Sequence, residues 1–424
     1  MSVESSRHLV SAYDRDDRVT RQLTFPEPLT IFDSTLRKIL LTPGISPPID
    51  QLLAIAGSLD RAGIREIVLN VHWWGDDRPN SREWEVLRAV LQSGFDFHVT
   101  VYADATLPRE GNRITPLAAI EQIRSLGATT IELPFLVPRA GGGGAASSLG
   151  ELEALFAQAA DAGLSTVLGL SDVGRVDFEV ALEAAQLATE LGCTRVNLLD
   201  SYSSLSVEAM RLFCNDFRAR LDRPVPLSMH VHNDFGLGTA LAVTAATSGV
   251  HPDVSVNSIS YRSGFAALQE VVLALELLYD VRTGIDLGQL QSLSDQVSAC
   301  TGLVNPLAPV TGAHQYLRDD AEGILDYLRD GREAFPAATS CMAPSLTGSR
   351  MRVVWGDRHA TSTVRAKLRQ LGLPDSGELV TAVYDEIVRA VDSATTYPRW
   401  VTEERVEEIC RVTAARLGDG YESR

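Results

Sequence analysis

Two histidines separated by one residue, His230 and His232, give this sequence its clearest chemical signal. They lie in an apolar, strand-like run, and side chains along a strand alternate between two faces, so both imidazoles point to the same side. Together with Asp33, a carboxylate in the first strand-like run, they form the two-histidine, one-carboxylate set that binds a divalent metal ion. The alternative is that one or both histidines only hydrogen-bond inside the core. We predict a metal site made of these three residues.

Two further polar clusters follow strand-like runs. Arg37 comes four residues after Asp33, in IFDSTLR, and Asn257 to Arg262 form the cluster NSISYR. A guanidinium at position 37 is suited to binding a carboxylate or stabilising an oxyanion, whereas the alternative is a surface ion pair. We predict Arg37 to be a catalytic residue.

The elements that must position these residues follow a βα alternation. Apolar, β-branched runs alternate with amphipathic helical patterns, and several of the latter end in a glycine such as Gly63 or Gly192 just before the next run. The predicted strands are residues 29–35, 66–71, 97–103, 129–137, 165–171, 195–201, 227–234 and 254–260. This pattern predicts an α/β protein with a TIM (β/α)8 barrel. A doubly wound sheet is the rival, but no glycine-rich fingerprint follows the first strand.

The barrel prediction brings the polar clusters together, because barrel active sites form at the carboxyl ends of the strands. Strands one and eight are neighbours in a closed barrel and strand seven comes next, so Asp33 is expected to converge on the histidine pair. Trp73 and Trp74 after strand two either line a pocket or pack against a helix. The glycine run Gly141–Gly144 after strand four is either a connector or a loop that binds phosphate or forms a lid.

The strand pattern stops near residue 285, which indicates further segments. We predict an N-terminal extension over 1–28, the barrel over 29–285, a linker or helical subdomain over 286–349, and a small, mainly helical C-terminal module over 350–424.

Composition excludes several classes of protein. The 424 residues are 45% hydrophobic and carry a formal net charge of −17, which disfavours nucleic acid and anionic lipid as partners. No run approaches the roughly 20 apolar residues of a membrane span, and the first residues are too charged for a signal peptide. The five scattered cysteines form no CxxC pair, as expected for a reduced cytoplasmic protein.

Taken together, the three polar clusters resemble the DRE-TIM metallolyases, the family of isopropylmalate synthase, homocitrate synthase and hydroxymethylglutaryl-CoA lyase. The segment from Asp33 to Gly44 is similar to the family's D-T-T-L-R-D-G-E-Q-x-P-G, and the segment beginning at His230 to its H-x-H-N-D-x-G-L-A. The segment beginning at Asn257 resembles N-G-x-G-E-R-x-G-N-x-x-L-E-E-V. In the C-terminal module, GDRHATSTVRAKLRQLG resembles a segment of the synthase branch, with His359 at its histidine.

The sequence departs from the family at several of these positions. The resemblance implies Asp33, His230 and His232 as metal ligands, but Phe265 stands where the fourth ligand, an asparagine, is expected. Lys38 stands where the family has an acidic residue after its arginine. This lysine either supplies positive charge near the substrate or is a solvated substitution. A water molecule in place of the lost amide oxygen would leave metal binding weaker.

The resemblance implies an acyl-CoA-dependent Claisen-type condensation with a 2-oxo acid, on a non-standard substrate. The implied cofactor is a divalent cation (Mg, Mn or Zn), with acyl-CoA as co-substrate, in a homodimer. His359 is the candidate base that removes the acyl α-proton, with a surface helix-cap role as its alternative. Lys38, Asn257, Arg262 and Phe265 are expected to contact the substrate. A metal-dependent lyase or aldolase that cleaves a 3-hydroxy acid, and a catalytically silent binding protein, are the alternative functions.

Overall fold

The structure is a computed structural model that describes residues 8–72, 81–104, 116–138, 147–333, 341–393 and 399–419. Trp73, Trp74 and the run Gly141–Gly144 lie outside the described residues. The chain divides into two compact units, a barrel unit (Ser11–Val304) and a second unit (Met1–Val10 with Asn305–Arg424). The predicted segment 286–349 is therefore shared between the two units.

Eight parallel strands close into a barrel in sequence order, which confirms the predicted fold. The strands are β1 (Phe32–Asp33), β2 (Glu66–His72), β3 (His98–Asp104), β4 (Thr130–Leu136), β5 (Ser165–Ser171), β6 (Arg195–Asp200), β7 (Leu227–Val231) and β8 (His251–Val254). The barrel closes where Phe32 pairs with Asp253 and Asp33 with Val254. Strands one, seven and eight are thus adjacent, as the convergence of the polar clusters requires.

Helices follow the strands around the barrel. The α-helices of this unit are α1 (Asp17–Thr20), α2 (Thr35–Leu41), α3 (Ile49–Arg61), α4 (Ser81–Gln92), α5 (Pro116–Ser125), α6 (Leu149–Asp161), α7 (Phe178–Glu190), α8 (Val207–Arg220), α9 (Gly238–Ala246), α10 (Leu268–Leu273) and α11 (Leu290–Thr301). Local sequence fixes where they begin: Ser148 and Glu151 form a reciprocal capping box at the start of α6. Gly63, just past α3, has a φ of +94°, and a Cβ there would lie 2.6 Å from the carbonyl oxygen of Gly284. Only glycine fits that close approach.

Strand eight differs from its prediction. It spans His251–Val254 rather than 254–260, and a short 3-10 turn, Val256–Ser258, follows it. Pro252 lacks an N–H and two polar residues flank it, so the segment resembles a loop in sequence. In the structure, His251 Nδ1 accepts a hydrogen bond from the backbone N–H of Thr30 at 3.1 Å, and Asp253 is fully buried. Tertiary pairing with β1 overrides the local pattern.

The second unit is mainly helical, as predicted, and also contains a small sheet. Its helices are α12 (Ala321–Asp330), α13 (Thr361–Gln370), α14 (Gly377–Asp392) and α15 (Glu403–Asp419). Its strands, β9 (Leu317–Arg318), β10 (Arg352–Trp355) and β11 (Val401–Thr402), are ordered β11-β10-β9. Trp355, Val383, Ile387 and Cys410 lie in a buried apolar cluster that joins these elements.

None of the described helices is long and apolar enough to span a bilayer. The five cysteines, Cys193, Cys214, Cys300, Cys341 and Cys410, are free thiols.

Candidate active site

A buried polar cluster at the barrel rim joins Lys38 to the two histidines. Lys38 lies in α2, directly after β1, and His230 lies on β7 with His232 just beyond it. The Lys38 Nζ atom is 2.9 Å from Nε2 of His230 and 3.3 Å from Nε2 of His232. All three side chains are buried, with Lys38 only 1% exposed. The histidines share one face, as their spacing predicts.

Hydrogen bonds on the far side of each ring fix the imidazole tautomers. Nδ1 of His230 lies 2.5 Å from Oδ2 of Asp253, and Nδ1 of His232 lies 3.2 Å from the carbonyl oxygen of Gly264. A carbonyl oxygen only accepts, and the Asp253 carboxylate accepts as well, so each Nδ1 carries the proton. Burial, reinforced by the Lys38 charge, lowers the pKa of both histidines below its usual value. Each neutral ring therefore presents the lone pair of Nε2 to Lys38.

Two aromatic rings also lie near the Lys38 ammonium. Its Nζ lies 4.3 Å from the ring centroid of Phe265 and 5.4 Å from that of Tyr261. The Phe265 ring is fully buried and packs against His230, with ring centroids 4.4 Å apart and the ring planes inclined by 52°. The backbone N–H of Phe265 is bonded to the carbonyl of Ser258 at 3.0 Å, which holds the ring in this position. The π-face of Phe265 is thus a favourable neighbour for a cation.

Asp33 has a different role from the one predicted for it. Its two carboxylate oxygens accept hydrogen bonds from the backbone N–H of Thr35 at 3.0 Å and from the Thr35 hydroxyl at 2.8 Å. Burial raises the pKa of Asp33 to about 7, against the opposing effect of these hydrogen bonds. Both bonds lie within the turn that starts α2. Asp33 therefore fixes the entry of the helix that carries Lys38.

The residues present do not fit the divalent metal site predicted from the sequence. Over the described parts of the chain, no three His, Cys, Asp or Glu side chains are grouped so that they could hold a metal ion. The two Nε2 atoms that would bind a metal instead face the Lys38 ammonium. Phe265, at the expected fourth-ligand position, offers a hydrocarbon ring.

Arg37 is buried, 5% exposed, so it does not form the surface ion pair considered as its alternative. Its guanidinium carbon lies 4.3 Å above the ring centroid of Tyr102. Within the described residues, its Nε and Nη1 atoms have no hydrogen-bond partner. Buried donors are normally paired, so these N–H groups are available to an anionic or carbonyl oxygen of a ligand.

A polar network inside the barrel was not anticipated by the sequence analysis. Asn197 Nδ2 donates to Glu132 Oε1 at 2.7 Å, and Ser228 donates to Asn197 Oδ1 at 2.8 Å. The Arg195 guanidinium donates to the Ser228 hydroxyl at 2.5 Å. Burial raises the pKa of Glu132, against the opposing charges of Arg195 and Arg37. A single acid within the apolar run TTIELPFLV was a usable signal for Glu132. Asp253 was missed because strand eight was predicted to start at residue 254, three residues after its true start at His251.

The remaining predicted site residues are held by contacts of their own. Arg262 is paired with Asp234 at 2.9 Å and also donates to the carbonyl of Ser201 at 2.7 Å. Asn257 donates to the carbonyl of Ser294 at 2.9 Å and accepts from the amide of Gln269 at 2.5 Å, which ties the loop after β8 to α10 and α11. The structure thus brings Lys38, Phe265 and the histidine pair together and directs the Asn257 amide to neighbouring helices.

His359 belongs to the second unit and is 6% exposed. Its Nδ1 lies 2.5 Å from the carbonyl oxygen of Gly356, and its ring packs on Tyr384 with centroids 4.7 Å apart. In the described structure, Nε2 of His359 has no hydrogen-bond partner. This histidine is buried, so the predicted alternative of a surface helix cap does not apply.

A closed barrel with a histidine pair, a buried arginine and a lysine at its rim defines an enzyme-like site at the position typical of this fold. The profile of the HMGL-like family matches residues 28–297, and the chain belongs to that family.

Curated relatives extend the match to the rest of the chain. The chain is 26% identical over 418 residues to the homocitrate synthase AksA of Methanopyrus kandleri, covering 96% of this chain and 98% of that protein. It is 24% identical over 413 residues to the 2-isopropylmalate synthase of Methanocaldococcus jannaschii, covering 94% of this chain and 74% of that one. Among solved structures, the hydroxymethylglutaryl-CoA lyase of Pseudomonas aeruginosa aligns with a TM-score of 0.53 at 17% identity, covering 65% of this chain and 93% of that one. This last likeness supports the fold.

Proposed function

We propose that this protein is an acyl-CoA-dependent condensing enzyme that joins an acyl group to a 2-oxo acid. The observation that carries the proposal is the extent of the match to the synthases. The homocitrate synthase aligns over 96% of the chain, whereas the lyase structure covers 65% of it. A second unit shared with synthases favours condensation over the cleavage reaction considered as an alternative.

The reaction requires four chemical events, and their atoms balance without a redox step. A base removes a proton from the α-carbon of the acyl thioester, and the resulting enolate carbon attacks the carbonyl carbon of the 2-oxo acid. The new alkoxide takes up a proton. Water then hydrolyses the thioester, which releases the free thiol of CoA and leaves a hydroxy-dicarboxylic acid.

Arg37 is the residue best placed to act on the 2-oxo acid. Its Nε and Nη1 donors lack protein partners in the described structure, and its planar group is held over Tyr102. Two N–H groups on a rigid plane suit either the carboxylate of the substrate or the oxygen that becomes negative during attack. Because that charge develops in the transition state, the arginine accelerates the carbon–carbon bond step.

His359 is the proposed base. Its Nδ1 is engaged by the Gly356 carbonyl, which leaves the lone pair of Nε2 without a partner among the described residues. A neutral imidazole with an available lone pair is suited to proton abstraction. We further propose a cytoplasmic location, with which the free thiols agree. A homodimer is also proposed, and light scattering of the purified protein tests it.

The direct test is release of CoA thiol. The protein is incubated with acetyl-CoA and each member of a series of 2-oxo acids of increasing chain length, and free thiol is followed with a chromogenic disulfide. We expect release that depends on one 2-oxo acid and a product mass equal to that of the 2-oxo acid plus one acetic acid, which is acetyl-CoA plus water minus the free thiol of CoA. Thiol release that no 2-oxo acid stimulates, together with no thermal shift from any acyl-CoA, would overturn the proposal.

A further inference from the structure

We infer that the Lys38 ammonium is the built-in cation of this site and takes the place that a divalent metal would occupy. The inference deepens the proposed function, on which it rests for its catalytic meaning. In this enzyme the positive charge facing an anionic 2-oxo acid would come from Lys38 and Arg37, two side chains of adjacent positions in α2.

The surroundings of Lys38 have the chemistry of a cation site. Two Nε2 lone pairs lie 2.9 and 3.3 Å from its Nζ atom. Neither imidazole can turn its N–H toward the lysine, because Asp253 and the Gly264 carbonyl hold the protons on the Nδ1 atoms. The face of Phe265 lies 4.3 Å away on a further side. The two lone pairs accept hydrogen bonds from the ammonium, and the π-face attracts its positive charge.

The same geometry disfavours a metal ion. A divalent ion bound to both imidazoles needs each Nε2 at about 2.1 Å, on the side of the rings where Nζ now lies. The ammonium would have to leave, and its charge would oppose a dication nearby. Asp33, the carboxylate that the sequence offered as third ligand, is bonded to Thr35 instead.

Two departures from the resembled family become complementary in this arrangement. Where that family has an acidic residue after the arginine, this chain has Lys38, and where it has an asparagine, this chain has Phe265. Lys38 alone would place an ammonium beside the amide oxygen of a remaining metal ligand. Phe265 alone would remove one metal ligand and leave the acidic residue in place, which gives a weaker metal site. Together they replace a metal site by an organic cation on an aromatic face.

A reversal experiment tests the inference without relying on activity. Lys38→Asp replaces the ammonium by a carboxylate that faces the two Nε2 atoms and completes a two-histidine, one-carboxylate set. Co²⁺ is titrated into the wild type, into Lys38→Asp and into the matched control Lys38→Asp/His230→Ala/His232→Ala. Binding is followed by calorimetry and by the visible absorption of the ion.

We expect Lys38→Asp to bind one Co²⁺ per chain at least about 100-fold more tightly than the wild type, and the triple variant to lose that binding. Thermal unfolding shows whether each variant is folded, and Lys38→Ala, which vacates the position without adding a charge, replaces Lys38→Asp if that variant is not. A wild type that binds one Co²⁺ as tightly as the variant, through the two histidines, would overturn the inference. So would a folded Lys38→Asp or Lys38→Ala with no gain. Failure of the thiol-release assay would leave these titrations unchanged, so the two proposals fail independently.

Discussion

The Nζ atom of Lys38 lies 2.9 Å from Nε2 of His230, the distance of a good hydrogen bond. The sequence predicts His230 and His232 as metal ligands, and Lys38 directly follows Arg37 in the chain. One turn of helix after β1 therefore supplies both cationic side chains of the site. The role that we infer for Lys38 depends on that contact.

Arg37 is expected to act on the transition state. Arg37→Lys keeps the charge but loses the planar pair of donors, so kcat for thiol release should fall by about 100-fold, with a much smaller change in KM for the 2-oxo acid. Arg220→Lys, at an exposed ion pair with Glu179, is the matched control and should match the wild type. A rise in KM with kcat unchanged would show that Arg37 binds only the ground state.

His359 is expected to remove the acyl α-proton. His359→Gln should lower kcat by roughly 100-fold or more and should slow the exchange of acetyl-CoA methyl protons with deuterium in heavy water. His314→Gln, at an exposed histidine of the same unit, serves as control. Proton exchange that continues at the wild-type rate in His359→Gln would assign the base to another residue.

The effect of Phe265→Asn on metal binding is expected to depend on whether Lys38 is present. With Lys38 present, the asparagine should not create a metal site, because the ammonium still faces both Nε2 atoms. In the Lys38→Asp background, the added amide oxygen should tighten Co²⁺ binding further. Calorimetric titrations of both proteins check this. Tight Co²⁺ binding by Phe265→Asn alone would contradict the role given to Lys38.

Glu132 is expected to make stability depend on pH. Burial raises its folded-state pKa, so the folded protein holds the proton more firmly than the unfolded chain. Its contribution is fully present below the unfolded pKa, near 4.5, and is lost as the pH rises through the raised value. Glu132→Gln should flatten this decline in the free energy of unfolding, measured by urea titration between pH 4.5 and 8. Identical slopes for the two proteins would contradict the raised pKa.

The barrel was predictable because its strands are continuous apolar runs that alternate with amphipathic helices. For β5, residues 165–171, the predicted and observed bounds coincide. Strand eight was displaced because Pro252 and the polar residues beside it imitate a loop. Its true start places Asp253 beside β1 and behind His230, a pairing that only the closed barrel creates.

Within the site, spacing predicted that the two histidines share a face, but it did not identify what they face. Asp33 and Lys38 are separated by five positions, and which of them reaches the imidazoles depends on how α2 leaves β1. The hydrogen bonds from Thr35 orient the Asp33 carboxylate toward the first turn of α2. The helix that starts there places Lys38 against the two imidazoles. This is a consequence of tertiary geometry, which one-dimensional spacing does not contain.

The proposed independence of this enzyme from a metal ion is tested most directly by the rate of thiol release from chelator-treated protein, with the metal content determined on the same sample. Because the Lys38 and Arg37 side chains supply the positive charge, we predict the full rate from protein with substoichiometric metal and no increase when Mg²⁺, Mn²⁺ or Zn²⁺ is added back. A rate that disappears on chelation and returns with one of these ions would show that the enzyme needs a metal ion and would contradict the role given to Lys38.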